Sequence, residues 1–555
     1  MYSSRCKVLA GGIGTAVSCF LAGAPVTAQA SSLLGFDPVP VAGGNGIDPS
    51  VSDDYYMRVI LPFGDPLYPG SQDSIGIGHD GMWYFPISNG KCRQNQHGVL
   101  CVNHEFGDNE VVLSSSFPNS LDQVRASQYA HGVSVIELKR RPGKNIKWVS
   151  VNQSGLARRI HVNTSVEFSG PVAGSPLLEN LAGNEPQGTV NNCGNGYTPW
   201  GTYLTCEENF NGYFGSDGGW TPTQAQSRYG FSDNGFGYGW HVFDPRFDLA
   251  NPDYTNEDKR FGWMVEIDPF NATAKPVKRT ALGRFKHEGI ALAETTDGRI
   301  VGYMGDDQRF DYIYKYVSDD SWQAMISRGE SPLDSGRLYV ARFNDDGTGD
   351  WLELTIDNPA IAAVFNSQDE VLVFARMAAD IVGATPMDRP EWTTVAPNGL
   401  VYCTLTNNSN RVEPNAANPL APNSDGHIIR WFDSNNHAGL TFEWDIFVFA
   451  EDTHGTEESF ADPDGLWADP DGRLFIETDG GQKDGLENQL LVADISTGEI
   501  KRLFEGVSGC EITGIAMTPD RSTLFCNVQH PDPTTGIPRD ATVVLERRNG
   551  GIVGS

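Results

Sequence analysis

Basic residues are scarce in this chain, and long apolar runs are missing after its first thirty residues. The 555 residues include 40 lysines and arginines against 71 aspartates and glutamates, a formal net charge of −31 at pH 7. This excess of carboxylates repels the phosphates of nucleic acid, so no nucleic-acid partner is expected. No later stretch reaches the ~20 apolar residues of a membrane-spanning helix, which argues against a stable membrane anchor.

Long helices are also disfavoured by the composition. The chain contains 62 glycines and 33 prolines, and both residue types favour turns. A chain of this length exceeds the usual single hydrophobic core. The alternatives are therefore two domains or one large closed β architecture.

The first thirty residues have the features of an export signal. Arg5 and Lys7 precede the apolar stretch VLAGGIGTAVSCFLAGAPV, and the small residues of AQA at Ala28–Ala30 suit cleavage. An uncleaved membrane anchor is the alternative, but the glycine-rich run and the cleavage-like end favour a signal peptide. We therefore expect a signal peptide at residues 1–30, a single mature domain at residues 31–555, and a periplasmic or secreted protein.

The cysteine count leaves the disulfide pattern open. Nine cysteines include Cys6 and Cys19 in the leader, so seven remain in the expected mature chain. An odd number in an oxidising compartment leaves at least one thiol unpaired. The spacing allows a bridge from Cys92 to Cys101 across a hairpin and another from Cys510 to Cys526.

Six stretches repeat one pattern: a polar residue able to bind metal, a short strand, a turn, a second strand and a closing polar cluster. The clearest copy is PDGLWADPDGRLFIETDGG, from Pro463 to Gly481. Other copies begin near His79, Cys193, His287, Arg389 and Cys510. Turn sequences such as PDG, TDG and PNG between β-prone runs indicate hairpins. The repeat predicts an all-β fold, a six-bladed β-propeller with large insertions between blades.

In a propeller the innermost strands meet at one end of the central channel, here called the channel mouth. The aligned copies place six residues at the starts of these strands: Asp80, Cys193, Glu288, Glu391, Asp464 and Glu511. The closing clusters add His104, Glu105, Glu207 to Asn209, Asp306, Asp307, Asn407, Asp479 and His530. Any one of these residues fits an ordinary polar turn, but six in register predict a shared site.

Carboxylates crowded around one channel must be protonated or must bind cations, because they repel one another. Oxygen-rich rings suit calcium, whereas a thiolate suits a transition metal better. We therefore predict a mixed cluster with a softer or redox-capable metal near Cys193. The alternative is a disulfide between Cys193 and Cys206.

The stretch MDRPEW places Arg389 two residues before Glu391. A cation beside a metal site is repelled unless an anion lies between them. The planar guanidinium matches phosphate in a bidentate geometry, and Pro390 stiffens the link to Glu391. The arrangement suits phosphoryl transfer. The alternatives are a calcium-loaded propeller that only binds, and a calcium-stabilised propeller hydrolase of another ester class, a phosphodiester or a lactone.

The chain resembles the PhoX-type alkaline phosphatases over nearly its whole expected mature length. The resemblance lies in long stretches: HDGMWYFP, NNCGNGYTPWGTYLTCEENFNGYF, GRFKHEG, GYMGDD, LYVARFNDDGTGDW, GATPMDRPEW, GLWADPDGRLFIETDG and EITGIAMTPD. It implies hydrolysis of small phosphomonoesters at alkaline pH by an iron (Fe3+) and calcium (Ca2+) cluster. It also implies attack by a metal-activated oxo, hydroxide or water. A closed propeller needs no partner, so a monomer is expected.

The resemblance also implies roles for individual positions. Cys193, Glu288 and Glu391 resemble ligands of the ferric pair, and Asp479 and Glu511 resemble calcium ligands. Arg389 and Asn209 resemble phosphate contacts. The remaining expected metal ligands are Glu105, Asp307 and Glu207, with Cys206 and Glu208 as alternatives to Glu207 within TCEENF. One departure is that MYSSRCK has no twin-arginine pair, which points to the general secretory route and to metal uptake outside the cytoplasm.

Overall fold

Antiparallel strands form most of the regular structure. The computed structural model describes residues 32–41, 43–88, 94–141 and 147–555. The predicted signal peptide at residues 1–30 and Cys92 lie outside these residues. Within them the chain forms 28 strands and seven short α-helices.

The strands are, in chain order, β1 Ser50–Val51, β2 Tyr55–Ile60, β3 His79–Pro86, β4 His97–His104, β5 Gly132–Arg140, β6 Trp148–Ser150, β7 Arg158–Ile160, β8 Glu167–Ser169, β9 Asn192–Tyr197, β10 Tyr203–Glu207, β11 Met264–Ile267, β12 Val277–Arg279, β13 His287–Glu294, β14 Arg299–Asp306, β15 Ile313–Ser321, β16 Gly336–Phe343, β17 Thr348–Glu353, β18 Pro390–Val395, β19 Leu400–Leu405, β20 His427–Asp433, β21 Thr441–Phe449, β22 Pro463–Ala468, β23 Arg473–Thr478, β24 Gln489–Asp494, β25 Ile500–Glu505, β26 Glu511–Met517, β27 Thr523–Gln529 and β28 Ala541–Arg547.

The helices lie in the connections between strands. They are α1 Asn109–Leu113, α2 Leu121–Ala130, α3 Gln224–Arg228, α4 Trp322–Ser327, α5 Pro359–Ala362, α6 Gln368–Val373 and α7 Ala375–Val382. Short 3-10 turns occur as well, among them Phe210–Tyr213. Among the described residues, no helix has the length and apolar character needed to cross a membrane.

The strands pair into five sheets in the described part of the chain. Four sheets have four or five strands, in the orders β3-β4-β5-β6 with β7 on β5, β9-β10-β11-β12-β8, β22-β23-β24-β25-β1 and β26-β27-β28-β2. The fifth has nine strands, because β17 pairs with β21 and joins β13–β17 to β18–β21. The sequence predicts two separate blades there.

One strand of each predicted repeat lies at the channel. These inner strands are β3, β9, β13, β18, β22 and β26, and each contacts the next in chain order, with β26 returning to β3. Apolar side chains between adjacent sheets form the core; Trp392 and Ile428, for example, pack with Leu466 and Ile476. The predicted all-β class and a propeller-like arrangement are confirmed.

The N-terminal strands complete the two sheets formed by the C-terminal part of the chain. β1 pairs with β25, and β2 pairs with β28 over Tyr55–Ile60. The repeat pattern does not predict these strands because they lie outside the repeated unit. They tie the beginning of the described chain to its end.

The cysteines of the described residues are buried thiols. Cys510 and Cys526 share one apolar cluster and are both free, so the disulfide that their spacing allowed is not formed. Cys101 is also a free thiol. Cys193 and Cys206 are not bridged to each other. Chain spacing indicated which cysteines flank adjacent strands, but not whether their side chains meet.

Candidate active site

The channel mouth gathers the residues that begin the six inner strands. Each residue is the first or second of its strand, and all are buried: Asp80, Cys193, Glu288, Glu391, Asp464 and Glu511. These are the positions that the aligned repeats predict. The closure of the strands around the channel brings them together although they are far apart in sequence.

A β-bulge aims the polar side chain in four of the inner strands. The pairing register of the strands changes between His79 and Met82, between His287 and Ile290, between Pro390 and Thr393, and between Pro463 and Leu466. In each case two residues of the inner strand oppose one residue of its neighbour, and the first of the two is the acidic residue. Bulges re-aim side chains and are common beside active sites.

Glycine follows four of these polar residues, and at Gly81 and Gly194 the neighbouring inner strand lies too close for a side chain. A Cβ on Gly81 would lie 2.8 Å from the carbonyl oxygen of Cys193. One on Gly194 would lie 1.7 Å from the carbonyl oxygen of Glu288. Only a residue without a side chain allows this approach.

Four groups of potential metal ligands occupy the mouth, and three of them overlap through Cys193 and Glu288. In each group one ligand atom of every member lies within 4.8 Å of the others: Asp80, Glu105 and Cys193; Cys193, Glu208 and Glu288; Glu288, Asp307 and Glu391; Asp479, Glu511 and His530. Cys193 belongs to two groups, and its Sγ donates to Glu288 Oε1 at 2.7 Å. Burial, then repulsion by Asp80, raises the pKa of the Cys193 thiol well above its ordinary value.

Several carboxyl groups of the mouth, though not Asp307, have a raised pKa and hold their protons more tightly than usual. Burial, then repulsion by Glu391, raises the pKa of Glu288 well above its ordinary value. Burial and repulsion by Asp307 do the same to the pKa of Glu391. For Glu511, burial is followed by repulsion from Asp479. A cation that binds to these carboxyl groups would therefore displace their protons.

Arg389 lies across the same mouth. Its Nε and Nη2 donate to the two carboxylate oxygens of Asp307 at 2.8 and 2.9 Å, and Nη2 lies 2.8 Å from Glu391 Oε1. Although burial raises the pKa of Asp307, Arg389 outweighs that effect and the pKa lies below its ordinary value. The Arg389 backbone has a φ of 58°, a left-handed conformation that is uncommon outside glycine. Among the described residues, no acceptor takes a hydrogen bond from its Nη1.

Asn209 and Lys286 form a second polar pair. Lys286 Nζ donates to Asn209 Oδ1 at 2.6 Å, and Asn209 Nδ2 donates to Glu208 Oε2. Lys286 is buried, and burial lowers its pKa, while Glu208 opposes that shift. Sequence reasoning missed Lys286, although the quoted stretch GRFKHEG contains it. A lysine two residues before a predicted ligand was the available signal.

The structure corrects one predicted ligand: Glu208, not Glu207, joins the groups. Glu207 Oε1 accepts from Lys278 Nζ at 2.7 Å, and Oε2 accepts from the backbone N–H groups of Gly262 and Trp263. Both of its oxygens are thus engaged in the core. Glu208 follows the last residue of β10 and lies in one ligand group with Cys193 and Glu288.

Arg376 of α7 supports the mouth from an insertion. Its guanidinium donates to both carboxylate oxygens of Asp306, with Nε to Oδ2 at 2.8 Å. Asp306 Oδ1 also accepts from the backbone N–H of Lys286 at 3.2 Å, and the Asp307 N–H donates to the Lys286 carbonyl. The insertion therefore fixes Lys286 and Asp307 relative to each other, which no repeat alignment indicates.

The remaining predicted residues divide between the mouth and its surroundings. Asp479 lies beside Glu511 and His530. The His530 Nδ1 bonds the Gly509 carbonyl at 2.7 Å, which leaves Nε2 3.5 Å from Glu511 Oε2. His104 is not in the four groups; its Nε2 contacts Ser134 Oγ at 2.7 Å. It is a structural side chain.

A cavity of about 710 Å³ adjoins the mouth. Its lining includes Glu105, Asn191 and Asn209 on the side of the ligand groups. The rest of the lining includes the exposed residues Asp108, Glu110 and Phe236 and the buried residues Asn109 and Tyr238. The cavity gives a small substrate access to the mouth.

Comparisons with known proteins agree with this geometry. The family described as alkaline phosphatase PhoX matches residues 35–532. The structure of Pseudomonas fluorescens PhoX in complex with vanadate, a transition state analogue, is similar at 41% identity and a TM-score of 0.87, covering 94% of this chain and 100% of that chain. A Xanthomonas campestris gluconolactonase is less similar, at 10% identity and a TM-score of 0.34, covering 90% of this chain and 97% of that chain. No curated protein matches.

The sheets around a channel, and a mouth that combines carboxylates with a guanidinium, define a propeller-like hydrolase of an anionic substrate. The family match over most of the chain then makes the assignment specific: the chain belongs to the PhoX alkaline phosphatase family. It is a phosphomonoester hydrolase. The resemblance stated from the sequence is confirmed.

Stability of the chelator-treated protein should fall as pH rises. Raised carboxyl pKa values mean that the folded protein keeps protons which the unfolded chain releases, so the folded state loses stability on deprotonation. For Glu208 the window runs from the ordinary 4.5 to about 8, because burial and then Asp307 raise its pKa. Buried histidines such as His79, whose pKa is lowered from 6.5 to about 4, oppose this loss at lower pH, so the thermal unfolding midpoint should decrease between about pH 6.5 and 8.

Two matched variants test whether Glu208 contributes to this pH dependence. Glu208→Gln should make the midpoint fall less steeply with pH, whereas Glu294→Gln at an exposed site should leave the pH dependence unchanged. A midpoint that stayed constant or rose with pH in the chelated protein would contradict the described crowding.

Proposed function

We propose that the enzyme is a metal-dependent alkaline phosphatase whose channel mouth binds iron and calcium. The observation that carries the proposal is the packing of ligand atoms within 4.8 Å in four groups, one of which contains Asp307 and Glu391, the partners of Arg389. Buried carboxylates at this spacing need neutralising charge, and a nearby cation needs an anion between itself and that charge. A bound phosphoryl group meets the second need.

The residues present fit such a cluster. Glu208 Oε1 is buried and has no hydrogen-bond partner among the described residues, as expected of an atom reserved for a ligand. The donor set around Cys193 combines sulfur with carboxylate oxygens, which suits a transition metal such as iron. The oxygen-rich groups elsewhere suit calcium.

The proposed ligands divide by their donor atoms. Cys193, Glu288 and Glu391 would hold iron, joined by Glu208 and Asp307 from the same groups. Asp479, Glu511 and Glu105 would hold calcium. His530, with Nε2 turned towards Glu511, is a further candidate ligand that a nitrogen-binding ion would use. When bound, these ions would neutralise phosphate charge and activate the attacking oxygen.

The chain's own residues would bind and orient the phosphoryl group. Arg389 is held by Asp307 and Glu391 through Nε and Nη2, so Nη1 remains to donate to a non-reacting phosphate oxygen. Asn209 and Lys286 form the second polar pair and would donate to further phosphate oxygens. Because hydrogen bonds already fix these donors, they need little reorganisation as charge develops on phosphorus. Vanadate bound to Pseudomonas fluorescens PhoX as a transition state analogue supports this assignment.

The architecture proposed for the whole domain is a six-bladed propeller. The cyclic contacts of six inner strands support it, as does the division of the nine-stranded sheet into β13–β17 and β18–β21. A single closed domain also supports a monomer without a stable membrane anchor. An oligomer seen by sedimentation at micromolar concentration would contradict that part of the proposal.

Replacing Arg389 should abolish most turnover without loss of metal. Arg389→Ala removes a fixed charged donor, and kcat/KM for nitrophenyl phosphate should fall by ~10² to 10³. Arg389→Lys should restore little, because an ammonium lacks the planar fork. Arg309→Ala is the control, since Arg309 bonds Asn407 rather than Asp307. Turnover at the wild-type level with Arg389→Ala would refute the phosphate contact.

Replacing Cys193 should remove iron. Cys193→Ser should lower the iron content and abolish any thiolate-to-iron absorption, because serine is a harder and weaker donor for this metal. Cys206→Ser is the matched control: the Cys206 thiol contacts Met264 Sδ in the core. Elemental analysis and the visible spectrum measure both variants. Unchanged iron in Cys193→Ser would exclude Cys193 as a ligand.

We propose export through the general secretory route with removal of residues 1–30. The support is the leader composition and the missing twin-arginine pair. Sequencing the N-terminus of the protein recovered from the periplasm or medium should begin at Ser31. An intact leader on active protein would contradict cleavage.

A further inference from the structure

One exposed aromatic residue lines the cavity beside the phosphate contacts. Phe236 has 58% of its surface exposed, although Phe is a residue that usually packs inside. A single exposed apolar side chain is ordinary on a protein surface. Phe236 differs because it shares the cavity with Asn209 and Glu105.

The backbone holds Phe236 in place. Its N–H donates to the Gly212 carbonyl at 2.7 Å, and Gly212 in turn donates to the carbonyl of Asn209 at 3.0 Å. A Cβ on Gly212 would lie 2.1 Å from the Phe236 ring, so the ring rests directly on that glycine. Three residues of 3-10 helix span ~6 Å, which places the ring within one nucleoside length of Asn209.

Flanking glycines complete the support. Gly235 and Gly237 have φ values of 49° and 87°, so the loop turns sharply on both sides of Phe236. Their N–H groups donate to Ser232 and Asn234 within the same loop. The ring is thus presented towards the cavity by a loop with its own hydrogen bonds.

The charges around the cavity have one sign. Asp108 and Glu110 line it with exposed carboxylates. Among the described residues that line the cavity, none is a lysine or an arginine. A leaving group with a second phosphate would meet only negative charge there, whereas an uncharged one would not be repelled.

We propose that Phe236 stacks on the planar, uncharged leaving group of the substrate, so that the enzyme favours nucleoside and aryl monophosphates. Polyol phosphates lack the flat face, and bisphosphates carry the disfavoured second anion. This inference rests on the proposed phosphate contact at Asn209, which fixes where the leaving group lies.

The test compares substrates that differ only in the leaving group. In the wild-type enzyme, kcat/KM for adenosine monophosphate should exceed that for glycerol phosphate. Phe236→Ala should lower this ratio by about tenfold, the loss expected on removing one base–aromatic stacking contact. The change should lie in KM rather than kcat. Phenyl phosphate, which has a flat leaving group without ribose, should follow adenosine monophosphate.

Further variants separate stacking from apolar bulk. Phe236→Tyr should keep most of the ratio, and Phe236→Leu should lose it, because leucine has no flat face. Phe432→Ala, at another exposed phenylalanine outside the cavity, is the control. An unchanged ratio in Phe236→Ala, or equal loss on both substrates, would overturn the inference.

Removing the two carboxylate charges tests the proposed repulsion of a second phosphate. Asp108→Asn with Glu110→Gln should improve turnover of adenosine 3′,5′-bisphosphate relative to the monophosphate, most clearly at low salt. Asparagine still caps α1, where the Asp108 carboxylate accepts from the Glu110 N–H at 2.7 Å. No relative gain would refute the repulsion.

Different results would refute the proposed metal dependence and the proposed stacking contact. Turnover that survived chelation would contradict the metal cluster, while the substrate ratio in Phe236→Ala would still report the stacking contact. An intact metal requirement with an unchanged ratio would refute only the leaving-group site.

Discussion

The mutual repulsion of buried carboxylates at the channel mouth is the constraint on which the site depends. Two unit charges 4 Å apart interact by about 4 kcal/mol at an effective dielectric of about 20. A few such pairs would equal the whole net stability of a typical domain, about 5–15 kcal/mol. Two inner strands and the residue that follows β14 nevertheless place Glu288, Glu391 and Asp307 within 4.8 Å. Protons or cations must therefore neutralise them, and the raised pKa values of Glu288 and Glu391 are the signature of that demand.

Arg389 is a cation that pairs with part of this negative charge. It neutralises Asp307 and Glu391 while keeping 24% of its side chain accessible, so one face of the guanidinium remains available to an anion. The insertion bearing Arg376 fixes the opposite side by holding Asp306, whose carboxylate bonds the Lys286 backbone. The propeller-like sheets carry the proposed metal ligands, and the insertion with Arg376 helps to fix Lys286 beside Asn209. This division explains why the loops between repeats can be long without loosening the site.

Much of the ring could be predicted from the sequence because it depends on local patterns that repeat. Asp80, Glu288 and Asp464 each precede a glycine and begin a β-prone run, and the structure turns that pattern into a bulge. The choice of Glu207 over Glu208 was wrong because it depended on a tertiary contact: Lys278 holds Glu207 at the end of β10, and Glu208, just after the strand, joins the mouth. The spacing of residues in the sequence does not identify Lys278 as the partner of Glu207.

Other features depend on contacts between distant parts of the chain. β1 and β2 join sheets formed about 450 and about 490 residues later, and β17 pairs with β21 across an insertion. Lys286 and Arg376 act through tertiary hydrogen bonds that have no sequence period. The thiols of Cys510 and Cys526 are near in sequence and share a core, yet remain free. Spacing constrains the chain path but not the direction of each side chain.

We propose that cations neutralise the crowded mouth, with iron at the thiol. Anomalous diffraction from crystals of the purified enzyme, recorded above and below the iron absorption edge, locates such ions. We expect an iron-specific peak within bonding distance of Cys193 Sγ and the Glu288 carboxylate, and separate calcium density near Asp479 and Glu511. An ordered mouth without an iron peak, with Cys193 protonated and hydrogen-bonded to Glu288, would contradict it.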